Sequence, residues 1–197
     1  MQALRVERDG PVLRVTLARP ERRNAFDAGL IAELTEAFAD VGDARAVVLA
    51  GEGPSFCAGA DVEWQRSSID LSYDENVEDA LRLYRMLEAI DLCPAPVVAR
   101  VQGYALGGGS GLVACVDVAV AGEDAVFGFT EVRLGIVPAV ISPFVLPRIG
   151  AAAARRSRSR ARTRRRRRAS ARTPAPRPRG ARAGPRRRGL LPRPEAA

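Results

Sequence analysis

Histidine and lysine are both absent from the 197-residue chain. Without histidine, neither a Ser-His-Asp nor a Cys-His relay can be built. With no CxxC pair either, the sequence offers no zinc site. Without lysine there is no GK[ST] sequence, which excludes a P-loop, and all 31 basic residues are arginine. Cysteine is scarce. Cys57, Cys93 and Cys115 form an odd set without paired spacing, which argues against a secreted disulfide framework and for reduced core thiols. No 18-residue apolar run occurs, and the opening MQALRVERDG has no apolar signal core. The expectation is a cytoplasmic protein with no metal and no membrane span.

Charge is distributed unevenly. The formal net charge is +8, yet residues 1–150 hold 13 Arg against 22 acidic residues, a balance of −9. Residues 151–197 hold 18 Arg against the single acid Glu195, a balance of +17. In this tail 39 of 47 positions are Arg, Ala, Pro or Gly, and the only large apolar side chains are Leu190 and Leu191. Such a chain repels itself and cannot bury enough surface to offset its ordering entropy, so a disordered tail is expected. Three origins compete: an Arg-rich arm binding nucleic acid phosphates, a solvated linker, or a frameshift product. The four dominant residues have codon families that begin with two G or C letters. GC-rich DNA read out of frame yields this mixture, which favours the frameshift. No aromatic residue interleaves the arginines, which weakens the nucleic-acid alternative.

Residues 1–150 suit one domain. Alternation in Leu4–Glu7 and Val12–Leu17 around Asp9-Gly10 predicts a β-hairpin. Asp27 can cap a helix whose apolar positions are Leu30, Ile31, Leu34, Ala37, Phe38 and Val41. Ala46–Ala50 reads as a buried strand, and the polar stretch 66–76 as a mobile loop. Val77, Leu81, Tyr84, Leu87 and Ile90 mark a second amphipathic helix ended by Pro94 and Pro96. Further strands are expected at Val97–Val101, Val116–Ala121 and Ala125–Phe129. Alternating strands and helices indicate an α/β fold.

Gly103, Gly107, Gly108, Gly109 and Gly111 lie between a strand and a short helix. A dinucleotide site would need GxGxxG, but Leu112 stands where the third glycine belongs. A tight-packing run is a second possibility. The third is chemical: glycines at a helix N-terminus leave backbone N–H groups unobstructed where the dipole favours negative charge. Ala58-Gly59-Ala60-Asp61 is a second such turn. Two N–H groups from separate loops converging on one carbonyl oxygen form an oxyanion hole, suited to an enolate next to a thioester.

Four ordered segments resemble the motifs of the crotonase (enoyl-CoA hydratase/isomerase) family. They are Arg19-Pro20-Glu21-Arg22-Arg23-Asn24-Ala25; Phe56-Cys57-Ala58-Gly59-Ala60-Asp61; Gly103-Tyr104-Ala105-Leu106-Gly107-Gly108-Gly109 with Ala114-Cys115-Val116-Asp117; and Thr130-Glu131-Val132-Arg133-Leu134-Gly135-Ile136-Val137-Pro138. The resemblance covers residues 1–150. It implies a crotonase-like spiral of ββα units, here cut short before the C-terminal helical region. It also implies a coenzyme A thioester as substrate without further cofactor, and assembly as a homotrimer or hexamer. By motif, Ala60 and Gly108 supply the oxyanion N–H groups and Glu131 is the general acid/base. Ala58, Asp61 and Val62 lie along the CoA-binding loop, with Arg22 and Ala25 near the nucleotide and pantetheine.

One departure stands out. Two-carboxylate hydratases place a second glutamate two positions after the third glycine, where this chain has Gly111. The segment Phe129–Pro143 looks like the branch acting on methylglutaconyl-CoA and related glutaconyl thioesters, whose members keep only the glutamate that Glu131 matches. The resemblance thus implies a hydratase of leucine or acyclic terpene breakdown, with a Δ3-Δ2 enoyl-CoA isomerase as the alternative enzyme. An Arg-arm nucleic-acid binder, or an inactive fragment, is the alternative of a different class. Lacking the C-terminal helices, residues 1–150 are expected to expose apolar surface.

Overall fold

The computed structural model describes residues 3–131, 135–159 and 164–165. Strands β1 (Leu4–Asp9) and β2 (Val12–Leu17) form the expected hairpin, with Leu4 opposite Leu17 and Asp9 opposite Val12. Helix α1 (Ala28–Ala39) starts at Asp27, whose carboxylate accepts the Leu30 N–H at 3.0 Å. That removes one of the orphan donors of the first turn. Its stripe of Leu30, Ile31, Leu34 and Phe38 is buried.

Strands β3 (Ala46–Gly51), β4 (Val97–Val101) and β6 (Val118–Ala121) extend the hairpin in parallel, giving a five-stranded sheet of order β1-β2-β3-β4-β6. A smaller sheet runs alongside it. There β5 (Tyr104–Leu106) pairs in parallel with β7 (Val126–Gly128), and β8 (Arg164–Arg165) pairs antiparallel with β7. Isolated bridges Phe26↔Ala60 and Cys57↔Ala105 occur outside the named strands. Two successive passes of the chain feed a strand to the large sheet and then one to the small sheet, β4 before β5 and β6 before β7, and after β3 the bridge Cys57↔Ala105 reaches β5. That is the spiral implied by the resemblance. The core between sheet and helices includes Val15, Leu17, Val47, Leu49, Phe56 and Leu87, all fully buried. Burial of each such side chain contributes roughly 1.5–3 kcal/mol.

Three expectations differ from the structure. Residues 66–76 are largely ordered into turns: α2 (Val62–Ser67), a 3₁₀ turn over Ser68–Asp70, and then α3 (Tyr73–Asp91). A capping box starts α3, in which Ser72 Oγ accepts the Glu75 N–H and Glu75 accepts the Ser72 N–H. On α3 the apolar stripe is buried only at Met86, Leu87 and Ile90, whereas Val77 and Leu81 remain 40% and 41% exposed. Periodicity identifies the helix and its apolar face, but not how much of that face meets a partner.

Helix α5 (Ser142–Ser159) runs nine residues past the expected boundary at Gly150, which interrupts it with φ 74° and ψ 156°. The residues that follow, Ala151–Ala154, are the strongest helix formers, and Ala154 is buried. Helix therefore replaces the expected disorder over 151–159. The remainder of the expected tail, apart from β8, lies outside the described residues. Among the described residues, no helix is long and apolar enough to cross a membrane.

Candidate active site

Two backbone loops meet beside a cavity of about 150 Å³. The first is Ala58–Asp61. The Phe26 N–H donates to Gly59 O at 2.9 Å, and Asp61 N–H donates back to Phe26 O at 2.9 Å. Gly59 C=O and Ala60 N–H belong to one trans peptide and point in opposite directions. Fixing the carbonyl on Phe26 therefore turns the Ala60 N–H away from that strand. The sequence needs glycine at 59 for two reasons: φ is 96°, and a Cβ would sit 2.8 Å from Leu106 O and 3.4 Å from Gly108 N.

The second loop leads into α4 (Gly108–Cys115). Gly107 C=O accepts from the N–H groups of Ser110 (2.9 Å) and Gly111 (3.2 Å), so the Gly108 N–H of the same peptide points out of the helix N-terminus. Gly107 N–H is itself held by Gly128 O at 2.8 Å, which ties the loop to β7. Among the described residues, neither the Ala60 nor the Gly108 amide has an acceptor within the protein.

Glu131 follows β7 and lies over the same peptide. A Cβ on Gly107 would be 3.0 Å from Glu131 Oε1, and Oε2 is sealed from solvent. Ala58, Ala60, Gly108 and Glu131 thus line one cavity, together with Phe26, Gln65, Leu83, Thr130 and the segment Ile136–Ile141. Val132–Leu134 of the fourth motif lie outside the described residues.

The other four expected site residues stand apart from that lining. Ala25 is buried under the first loop, and Val62 is exposed at the start of α2. Asp61 is buried. Its Oδ1 accepts the Glu63 N–H at 2.9 Å, and its Oδ2 lies 3.6 Å from Arg19 and 4.0 Å from Arg22. Arg22 also pairs with Glu63 at 3.1 Å, and this hydrogen-bonded ion pair raises the guanidinium pKa further above its already high value.

Gly111 is packed as well as small. A Cβ there would meet Ile141 Cγ2 at 2.7 Å. Ile141 occupies the space that a side chain at the second-glutamate position would enter, so the departure in sequence is matched by packing.

Two residues that carry this site were not singled out from the sequence. Asn24 is fully buried and left-handed (φ 55°), and its side chain joins the Arg19 N–H to the carbonyls of Glu52 and Ser55. Arg19 braces the loop from behind. The available signal was a polar amide amid the first motif, but its partners lie 28 and 31 residues away.

Cys57 Sγ accepts the Gly59 N–H at 3.4 Å, and burial pushes its pKa up to about 12. Burial also pushes the Cys115 thiol up, whereas Cys93 is only half-buried. Thiolate is the alkylated form, so iodoacetamide is expected to label Cys93 well ahead of Cys57 and Cys115. Peptide mapping by mass spectrometry checks this order, and labelling of Cys57 as fast as Cys93 would contradict it. All three should react in denaturant.

The spiral fold thus brings two backbone amides and a carboxylate to one cavity. The pattern described as enoyl-CoA hydratase/isomerase matches residues 7–170. The chain belongs to the enoyl-CoA hydratase/isomerase (crotonase) family. It is 37% identical over 146 residues to enoyl-CoA hydratase AKT6-1 of Alternaria alternata, covering 73% of this chain and 47% of that one. Among solved structures it resembles an enoyl-CoA hydratase from Shewanella pealeana (TM-score 0.78, 38% identity), covering 82% of this chain and 62% of the other. It also resembles AtuE of Pseudomonas aeruginosa (TM-score 0.79, 39% identity), covering 83% and 64% respectively. The chain spans about half the length of the curated relatives it matches.

Proposed function

We propose that the chain carries the thioester-activating site of an enoyl-CoA hydratase acting on a methylglutaconyl-CoA-like substrate. The convergence of Ala60, Gly108 and Glu131 on one cavity supports this most strongly. The thioester oxygen lies between the Ala60 and Gly108 N–H groups, which stabilise the enolate; one such donor is worth ~3 kcal/mol in the transition state. Glu131 takes a proton from water as its oxygen attacks Cβ, and a proton is returned to Cα, so that water is added across the double bond. Gly111 supplies no second carboxylate, which leaves Glu131 to manage both transfers. The reaction takes the coenzyme A thioester as substrate and uses no additional cofactor.

The apolar lining from Ile136 to Ile141, with Leu83, suits a branched acyl chain, and Gln65 adds a polar group. Assembly as a homotrimer or hexamer, as the family resemblance implies, belongs to the same proposal.

The test offers the full chain 3-methylglutaconyl-CoA, crotonyl-CoA and a 3-enoyl-CoA and follows products by chromatography that separates the isomers, with mass detection. Hydrated methylglutaconyl product, formed faster than hydrated crotonyl product, is the expected result. Product of unchanged mass from the 3-enoyl thioester alone replaces hydration with isomerisation. Faster hydration of crotonyl-CoA overturns the substrate assignment, and no product overturns the activity.

A further inference from the structure

The backbone bridge that orients the Ala60 amide is braced by a side chain that does not itself line the cavity. Arg19 Nη1 donates to Ala25 O at 3.0 Å and lies 2.7 Å from Asp27 Oδ2, while Nη2 lies 3.6 Å from Asp61 Oδ2. Its own backbone N–H donates to Asn24 Oδ1 at 2.9 Å. Ala25 and Asp27 flank Phe26, and Asp61 follows Ala60. The guanidinium therefore spans, from both sides, the Phe26↔Ala60 bridge. The side chains of Arg19 and Asp61 are 17% and 7% exposed, so their attraction is little screened by water.

We propose that Arg19 is a positioning residue that holds the Ala60 N–H in its donor orientation by clamping the two segments this bridge joins. The proposal rests on the oxyanion role given to Ala60 above. The physical reason is the number of partners. A planar fork can serve a carbonyl and two carboxylates at once, whereas an ammonium is a single point charge. Without Arg19, buried Asp61 keeps the Glu63 N–H but, among the described residues, only the half-exposed Arg22 at 4.0 Å as a cation, and burying a poorly paired carboxylate is costly. The loop then gains by moving Asp61 toward water, and the Ala60 peptide moves with it.

The test compares the full-length wild type with Arg19→Met, Arg19→Lys and Asp61→Asn. Asp61→Asn keeps an acceptor for the Glu63 N–H while removing the charge. The measurements are kcat, KM, thermal unfolding, and the near-ultraviolet enolate band of bound acetoacetyl-CoA. That β-ketothioester enolises when its oxygen is held by hydrogen-bond donors, so the band reports the oxyanion site directly.

For Arg19→Met, kcat is expected to fall between about tenfold and about a hundredfold, the cost of a misplaced group, with KM changing less than about twofold. The enolate band should weaken while affinity for free CoA stays the same. Arg19→Lys should recover part of both signals, and Asp61→Asn should shift both in the same direction as Arg19→Met. Full kcat and a full band in folded Arg19→Met would overturn the proposal, as would losses that merely track the unfolded fraction. A wild type without turnover, but with an enolate band that Arg19→Met removes, overturns the hydratase activity and leaves the Arg19 role standing. Turnover that survives Arg19→Met undiminished does the reverse. A wild type with neither signal overturns both.

Discussion

Replacing Glu131 with Gln is expected to reduce turnover by about 10²–10⁴-fold, the usual contribution of a positioned acid/base. Glutamine has the same shape, so contact with the Gly107 backbone and the walls of the cavity is retained. What is lost is the ability to accept a proton at the working pH. Gly111 leaves no second carboxylate, Ile141 fills the space where one would enter, and among the described residues Glu131 is the one carboxylate in the cavity lining. Thioester affinity should change by less than about threefold, since the loss falls on the transition state rather than on uniform binding. Initial rates together with equilibrium binding of a CoA thioester measure the two quantities separately. Full activity in Glu131→Gln would remove Glu131 from the mechanism. Equal loss of rate and affinity would make it a binding group instead.

Asn24→Ala is expected to destabilise the protein by about 4 kcal/mol, a value in the exceptional class for a single substitution. The amide makes three hydrogen bonds in a fully buried position, to the Arg19 N–H and to the Glu52 and Ser55 carbonyls. Alanine leaves three backbone groups without that partner, the Ser55 carbonyl buried and the Arg19 N–H and Glu52 carbonyl part-buried, at up to about 1–3 kcal/mol each before relaxation. The left-handed backbone at φ 55° adds roughly 1–2 kcal/mol, because asparagine tolerates this region and alanine does not. Urea unfolding should show a lower midpoint with an unchanged slope. Asn24→Gly relieves the backbone strain but not the lost hydrogen bonds, and should fall between alanine and the wild type. A loss below ~1 kcal/mol in Asn24→Ala would show that water or a shifted loop replaces the amide.

The elements whose instructions are local were legible in the sequence. Hairpin alternation placed β1 and β2, the Asp27 cap placed α1, and the glycine run marked the entrance to α4. The stretch 66–76 shows composition competing with local geometry. Its polar residues suggest a loop, while Ser72 and Glu75 stand at the spacing of a capping box that begins α3. Val77 and Leu81 mark an apolar face by periodicity, but their exposure depends on which neighbours reach them. The end of α5 went the other way. After Gly150 the arginine content suggests disorder, but the alanine run favours helix, which continues to Ser159.

The candidate site divides along the same line. The roles proposed for Ala60 and Gly108 run through backbone amides, and glycine-rich turns leave a signature that motif and spacing can carry. Glu131 stands out because of the residues beside it in sequence. The clamp by Arg19, the buried amide of Asn24 and the closure of position 111 by Ile141 have no such signature. Each is a contact between segments distant in the chain, and its meaning depends on distance and burial. Sequence established the family motifs, the order of the strands and helices, and which chemistry the missing residue types excluded, since these follow from nearest neighbours and composition. Tertiary packing decided which motif residues face one cavity, how the Ala60 peptide is aimed, and that Gly111 is filled over rather than merely empty. Those outcomes depend on side chains from separate turns of the spiral arriving at the same place.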